Sequence, residues 1–312
     1  MTTDGSSNSS KTKFSSIDIM LIGMSLVWGI NFSVVKTALT DLSPLSFNSL
    51  RFGFASLFLL TLLWVIERNL RVRREDIGRL FLLGLIGNTM YQLLFIHGID
   101  RTTASNSSLI LAMIPIFVAL LSAVLGVEKV GRKIWYGVVI SFIGIFLIVQ
   151  GTGRTLTITD QSLIGDLLTL AGTICWATYT VLSKPLLQRY TPLKLTTITM
   201  AMGTLPIVLV SIPSLNEQNW GSVSLQGWLC LTYSFCLAIA IGYVIWYTGV
   251  SRIGSARTAL YENLITVIAI VVAWIFLSEK MTLLQILGAV LVLTSLYLAR
   301  RPSKVKSSNV RR

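Results

Sequence analysis

A chain of 312 residues that is 53% hydrophobic and only 12% charged, with a mean hydropathy of +0.74, cannot cover a water-facing surface; a soluble domain carries about twice that charged fraction. The formal net charge of +13 would suggest nucleic acid in a soluble protein, but the charges here sit in short hinges between apolar runs, which argues against it. Three cysteines inside apolar runs (Cys175, Cys230 and Cys236) and one histidine (His97) have no disulfide or metal-ligand spacing, so neither a metal nor another cofactor is expected.

In chain order, residues 1–16 are rich in Ser and Thr, carry Lys11 and Lys13, and lack the apolar core and cleavage site of a secretory signal; they read as a disordered cytoplasmic tail. Ten apolar runs follow, at 17–38, 46–66, 78–97, 104–126, 133–150, 163–183, 194–213, 226–248, 256–277 and 283–299. Each is close to the roughly 20 residues that cross a bilayer. Strand alternation is absent, and an open sheet in lipid would leave its backbone groups unpaired. The fold class is an all-α integral membrane protein of ten transmembrane helices, ending in a basic cytoplasmic tail at 301–312.

The chain repeats itself. Val-Trp-Gly-Ile-Asn-Phe-Ser-Val-Val-Lys from Val27 to Lys36 is echoed by Cys-Trp-Ala-Thr-Tyr-Thr-Val-Leu-Ser-Lys from Cys175 to Lys184. Trp28 and Trp176, Lys36 and Lys184, and Pro44 and Pro192 are each 148 positions apart, while Glu128 and Glu279, Gly98 and Gly249, and Gly137 and Gly288 are 151 apart. Two related halves, 17–150 and 163–300, are the simplest explanation.

The positive-inside rule orients them. With the N-terminus in the cytoplasm, only Lys36, Arg101, Arg154 and Lys280 fall outside; Arg51 lies within a span and every other Lys and Arg is cytoplasmic. Both termini are therefore expected in the cytoplasm. Five spans per half is an odd number, so the second half enters from the opposite side. Such inverted repeats are the design of secondary transporters, with the binding site near the midplane between them.

Several stretches now resemble one family. They are Leu26–Phe32, Leu50–Phe52, the fourth span from Thr103 to Glu128, Gly165–Lys184, Leu277–Thr282 and Leu287–Leu293. In their order and span count they resemble the drug/metabolite transporter superfamily, in its ten-span form with two EamA domains. The resemblance implies an exporter of small metabolites, proton-coupled or downhill, in the cell (inner, cytoplasmic) membrane. Amino acids and their relatives are the usual cargo of bacterial members. The fourth span has the family's proline at Pro115, but the equivalent ninth-span position is Thr266, so a proline kink is expected only in the fourth.

Candidate substrate-binding residues come from helical faces. Asn88, Tyr91, Gln92 and Phe95 form a polar-aromatic stripe in the third span, which reads as cavity lining or as interhelical hydrogen bonding. Gly242, Tyr243, Trp246 and Tyr247 face one way in the eighth, where Trp246 and Tyr247 also suit an interfacial belt and Tyr243 is the deeper candidate. Trp28, Asn31, Phe32 and Val35 share a face of the first span. Trp176, Tyr179, Thr180 and Ser183 share one in the sixth. The tryptophans read as binding residues or as packing at the repeat interface.

Glu262, flanked by Tyr261 and Asn263, is an acid within the ninth span. It reads as a proton carrier, as a counter-charge for a substrate ammonium, or as a structural partner of Arg51 or Arg257. Arg51 reads as snorkelling to the interface, as a gate or anchor facing Asp41 or Asp100, or, preferably, as a structural ion pair with one of them. Lys36 and Lys184 are expected to snorkel; Glu128-Lys129 and Glu279-Lys280 are expected to cap and orient helices. Gly137, Ser141 and Gly144 put small residues on one side of the fifth span, for intrachain packing or a homodimer.

A small-metabolite exporter is therefore the leading function. An antiporter of sugar nucleotides or phosphorylated sugars is the alternative, disfavoured because Arg51 is the one strong cation within a span. A polytopic membrane enzyme needs a cluster of His, Asp, Glu or Cys at one membrane face, and the acids here are scattered singly, so the protein is not expected to be an enzyme.

Overall fold

A computed structural model describes residues 15–102, 104–151, 160–268, 271 and 281–300. Apart from Ser15 and Ser16, the expected tails lie outside the described residues, as do Arg154, Glu279 and Lys280 and the side chains of Phe32, Lys36 and Asp100. The described elements are α1 (Ser16–Ala38), α2 (Pro44–Glu67), α3 (Arg74–Gly84), α4 (Tyr91–Arg101), α5 (Ala104–Leu111), α6 (Ile114–Val124), α7 (Arg132–Gly151), α8 (Asp160–Ser183), α9 (Pro192–Glu217), α10 (Leu225–Tyr233), α11 (Gly242–Ile253), α12 (Ser255–Leu260) and α13 (Leu283–Arg300). No strand occurs among the described residues.

Among the described residues, seven stretches are long and apolar enough to cross a membrane: Ser16–Val35, Pro44–Glu67, Arg74–Gly98, Asn106–Val124, Arg132–Gly151, Pro192–Glu217 and Leu225–Ile253. Leu283–Ala299 is a shorter apolar helix. α8 is as long as its neighbours but turns Thr169, Thr173, Thr180 and Ser183 into the bundle, where all four are buried. The expected ninth span is described only to residue 268 and at 271.

Local chemistry sets the helix starts. Ser15 and Asp18 form a capping box at α1, with the Ser15 amide donating to the Asp18 carboxylate at 2.9 Å. α2 and α9 both begin with proline, behind Ser43 and Thr191, where a missing N–H costs nothing. Glu128 caps as expected: it accepts from Ser255 N at 3.1 Å and Ala256 N at 2.8 Å, at the start of α12. Lys184 departs from the expectation of snorkelling. The carboxylate that caps α12 lies within its reach at the end of α8, and the two form an ion pair. On the loop side, Asp41 accepts from Ser224 N at 3.0 Å and Ser224 Oγ at 2.5 Å, and these bonds hold its carboxyl below the usual carboxylate range.

Four long segments are not continuous α-helix. π turns at Leu85–Met90 and Ser234–Ile241 join α3 to α4 and α10 to α11. The fourth span breaks at Ala112–Met113, two residues before Pro115, with Met113 N bonding back to Ile110 O. The ninth breaks too, at Tyr261–Asn263, before helix resumes at 264–268. There the amides of Tyr261, Glu262, Leu264 and Ile265 each bond three residues back. A proline is therefore not needed for the second break; tightened i→i+3 bonding makes it.

α2 packs on α9, α7 on α13, α4 on α8, and α1 on α10 and α11. Small residues allow the closest approaches. A Cβ at Gly144 would stand 2.7 Å from the Gly288 carbonyl oxygen and 2.9 Å from Val292 Cγ2, so the small face of α7 is occupied by α13 of the same chain. Gly144→Leu should therefore lower stability by about 1–3 kcal/mol, since backbone cannot yield as a side chain can. Gly53→Ala, whose Cβ meets nothing within 4 Å, should leave it unchanged or slightly raised. Thermal unfolding in detergent measures both, and equal midpoints for the two variants would contradict this packing.

Candidate functional site

The site is built around Trp176 of α8. Its indole, 1% exposed, meets Trp28 at 6.2 Å between ring centroids, Tyr91 at 5.1 Å, Tyr179 at 5.9 Å, Tyr243 at 5.2 Å and Trp246 at 5.6 Å. Trp28 also lies against Tyr243 and Trp246, and Tyr91 against Phe95. Rings from α1, α4, α8 and α11 thus converge in edge and tilted contacts, the geometries aromatic quadrupoles prefer. Trp246 and Tyr247 are fully buried, which corrects the interfacial-belt reading; α11 turns that face toward α8, where Tyr247 meets Tyr179 edge to face at 5.1 Å between centroids.

Hydrogen bonds fix the ring orientations. Trp28 Nε1 donates to the Ala238 carbonyl at 2.7 Å, inside the second π turn. Trp246 Nε1 donates to Thr180 Oγ1 at 3.2 Å, and Tyr179 shares a 2.7 Å hydroxyl bond with Thr199. Close approach of backbone to ring is allowed by Gly87, whose absent side chain makes room for the Tyr179 ring, and by Gly242, beside the Trp28 indole.

Two charges border the rings. Arg51, 6% exposed, donates from Nη2 to Gln92 Oε1 at 2.8 Å and lies over Phe47 and Phe52, 5.3 and 5.6 Å from their centroids. Gln92 Nε2 makes a long 3.5 Å contact with the Tyr243 hydroxyl. The expected ion pair with Asp41 is not formed: Asp41 is held by Ser224 at the loop, while Arg51 turns inward. Arg51 Nε is buried without a hydrogen-bond partner. Glu262 sits in the turn that breaks the ninth span, beside the Trp176 indole. The carboxyl approaches Trp176 Nε1 without meeting hydrogen-bond geometry, and neither its Oε2 nor Trp176 Nε1 has another partner. It pairs with neither Arg51 nor Arg257, which corrects the structural reading of this acid; no described ion pair includes it. Tyr91 and Tyr243 lie within electrostatic reach of both Arg51 and Glu262.

Not every candidate joins this cluster. Asn88 is fully buried but donates to Thr199 O at 3.2 Å, toward α9. It lies in the first π turn, which changes the helical register, so the i, i+3, i+4 face drawn through Asn88, Tyr91, Gln92 and Phe95 divides there. Asn31 is half-buried, with its Oδ1 unpartnered. Tyr261 turns its hydroxyl to the Asp18 carboxylate, and Asn263 Nδ2 donates to Ser141 Oγ at 2.7 Å; both are buried in contacts apart from the rings. Phe47, Phe52 and Ser25, which donates to the Tyr261 carbonyl at 2.9 Å, were not candidates. Nothing in the periodicity separates them from ordinary core and small-residue positions.

Comparison with known proteins gives a consistent answer. The family model described as EamA-like transporter family matches residues 15–150 and 163–301. A Bacillus subtilis protein named "Uncharacterized transporter YyaM" is 28% identical over 305 residues, 96% of this chain and 98% of its own. An Archaeoglobus fulgidus "Uncharacterized transporter" is 27% identical, covering 88% and 95%. The Escherichia coli "Probable amino-acid metabolite efflux pump" is 27% identical, covering 88% and 91%. A crystal structure at 13% identity superposes with a TM-score of 0.76 over 92% of this chain and 98% of that one, which shows a shared fold.

The Arg51–Gln92 contact can be tested on its own. Gln92→Leu strands a buried guanidinium and should cost about 1–3 kcal/mol. The double change Arg51→Met with Gln92→Leu removes both partners and should recover most of that loss. Unfolding midpoints of the two single variants and the double in detergent decide it; additive effects would show that the two side chains do not interact.

Proposed function

Since the chain belongs to the EamA-like transporter family, and so is a multi-pass membrane transporter, we propose that it exports amino acids or closely related small metabolites by alternating access between two inverted five-helix repeats. The observation that carries this reading is the aromatic cluster. Trp28 and Tyr91 come from the first matched segment, and Trp176, Tyr243 and Trp246 from the second. A site built at the meeting of two halves is remade whenever the halves rock, which is what alternating access needs. The broken ninth span also supports this reading, because the turn at Tyr261–Asn263 brings the Glu262 carboxyl beside the Trp176 indole.

The inverted-repeat part of the reading is supported by packing that survives exchange of the halves. α4 lies on α8 as α10 and α11 lie on α1, α2 pairs with α9, and α7 with α13. The two π turns precede Gln92 and Tyr243, which are 151 positions apart. The amino-acid part is supported by the name of the E. coli relative. Cytoplasmic termini, a cell-membrane location and proton exchange complete the proposal.

Cells overproducing the protein should release more of one or several amino acids into the medium than cells lacking it, and an ionophore that collapses the pH gradient should abolish the difference. Unchanged medium profiles would count against the cargo class. Tyr91→Ala, which removes a ring from the cluster, should reduce export on the order of tenfold with protein amount in the membrane unchanged. Normal export by this variant would make the cluster packing alone. A reporter fused after Arg312 should read cytoplasmic, and an external reading would break the orientation.

A further inference from the structure

Arg51 and Glu262 are opposite charges at membrane depth, each with a buried atom left unbonded, and they do not pair with each other. Uncompensated charge is costly in a low-dielectric interior and is retained there mainly for function. The guanidinium has five N–H donors, of which one is bonded, to Gln92. The Glu262 carboxylate lies beside the Trp176 indole. Tyr91 and Tyr243 lie within electrostatic reach of both groups, and each of the two rings contacts Trp176.

We propose that Arg51 and Glu262 together read a zwitterion, with Arg51 and Gln92 holding the cargo carboxylate, Glu262 holding its ammonium, and the rings of Tyr91, Trp176 and Tyr243 lying against an apolar side chain. The proposal rests on the exporter reading and narrows it. A planar guanidinium matches a carboxylate in two parallel hydrogen bonds, and one positive charge balances one negative. A phosphorylated sugar or sugar nucleotide carries two or more negative charges. It would meet a single guanidinium together with a repelling carboxylate beside the same rings. A zwitterion instead neutralises both protein charges while adding none, so the loaded site crosses the membrane interior with every charge paired.

The test uses the purified full chain in liposomes preloaded with radiolabelled leucine or phenylalanine, and measures exchange against external unlabelled leucine, leucinamide, N-acetylleucine, phenylalanine or glucose 1-phosphate. In the wild type, leucine and phenylalanine should compete on the order of tenfold to a hundredfold better than leucinamide or N-acetylleucine, the range expected for losing one charge-assisted contact. Arg51→Gln should lose the preference for leucine over leucinamide while keeping the preference over N-acetylleucine. Glu262→Gln should show the reverse pattern. Arg51→Lys, which keeps the charge but not the fork, should fall between Arg51→Gln and the wild type. These losses of discrimination are ratios within one variant, so a lower yield of folded protein does not imitate them. If both Gln variants discriminate as the wild type does, the two residues do not touch cargo and the proposal fails, while the exporter reading stands. If wild-type liposomes preloaded instead with radiolabelled glucose 1-phosphate exchange it, while those preloaded with leucine or phenylalanine exchange nothing, the zwitterion proposal and the amino-acid reading both fall.

Discussion

Backbone polar groups inside a bilayer have no water to turn to, and this constraint shapes the whole chain. Where the helices are regular, the ladder satisfies them. Where they open, side chains from another helix take over. Trp28 donates to the Ala238 carbonyl in one π turn, and Ser25 to the Tyr261 carbonyl at the ninth-span break. Asn88 and Thr89, in the other π turn, donate to Thr199 O and Gly203 O on α9. Two irregularities are therefore held by a donor from across the bundle, and the first π turn by its own side chains donating to α9. Irregular backbone and recognition occur together because both need polar groups turned inward.

Aromatic packing and charge then divide the labour in the site. The rings around Trp176 fill space without demanding partners beyond one hydrogen bond each; four of the five contacts to Trp176 reach it from other helices, and the fifth, Tyr179, from the next turn of its own. The charges do demand partners. Arg51 has Gln92 and two ring faces, which offset part of its desolvation, and Glu262 has less. That imbalance distinguishes this site from the ion pair of Lys184 with Glu128 and from Asp41 with Ser224, where every charge in the contact is answered by a partner. Those contacts tie segments together; Arg51 and Glu262 form no ion pair that does so.

Composition and pattern alone determined the all-helical membrane class, because a charge fraction this low leaves lipid as the only solvent the chain could face. They also determined the internal repeat, which is a property of spacing. The tryptophan pair, Tyr91, Gln92 and Tyr243 were legible for the same reason: polar and aromatic residues at helical intervals inside apolar runs must turn away from lipid.

Tertiary structure decided what those local rules could not reach. Helical periodicity assumes an unbroken ladder, so the π turn at Leu85–Met90 sent Asn88 to α9 and left Tyr91 and Gln92 with the rings. Tyr261 and Asn263, neighbours of Glu262 in sequence, were turned to Asp18 and Ser141 by a break that no proline announces. The partners of charged side chains were least legible of all. Arg51 could have met Asp41, and Lys184 could have met only the interface. Which of two reachable partners a long side chain takes depends on how whole helices cross, and crossing is set by close contacts such as Gly144 on Gly288, from residues far apart in the chain.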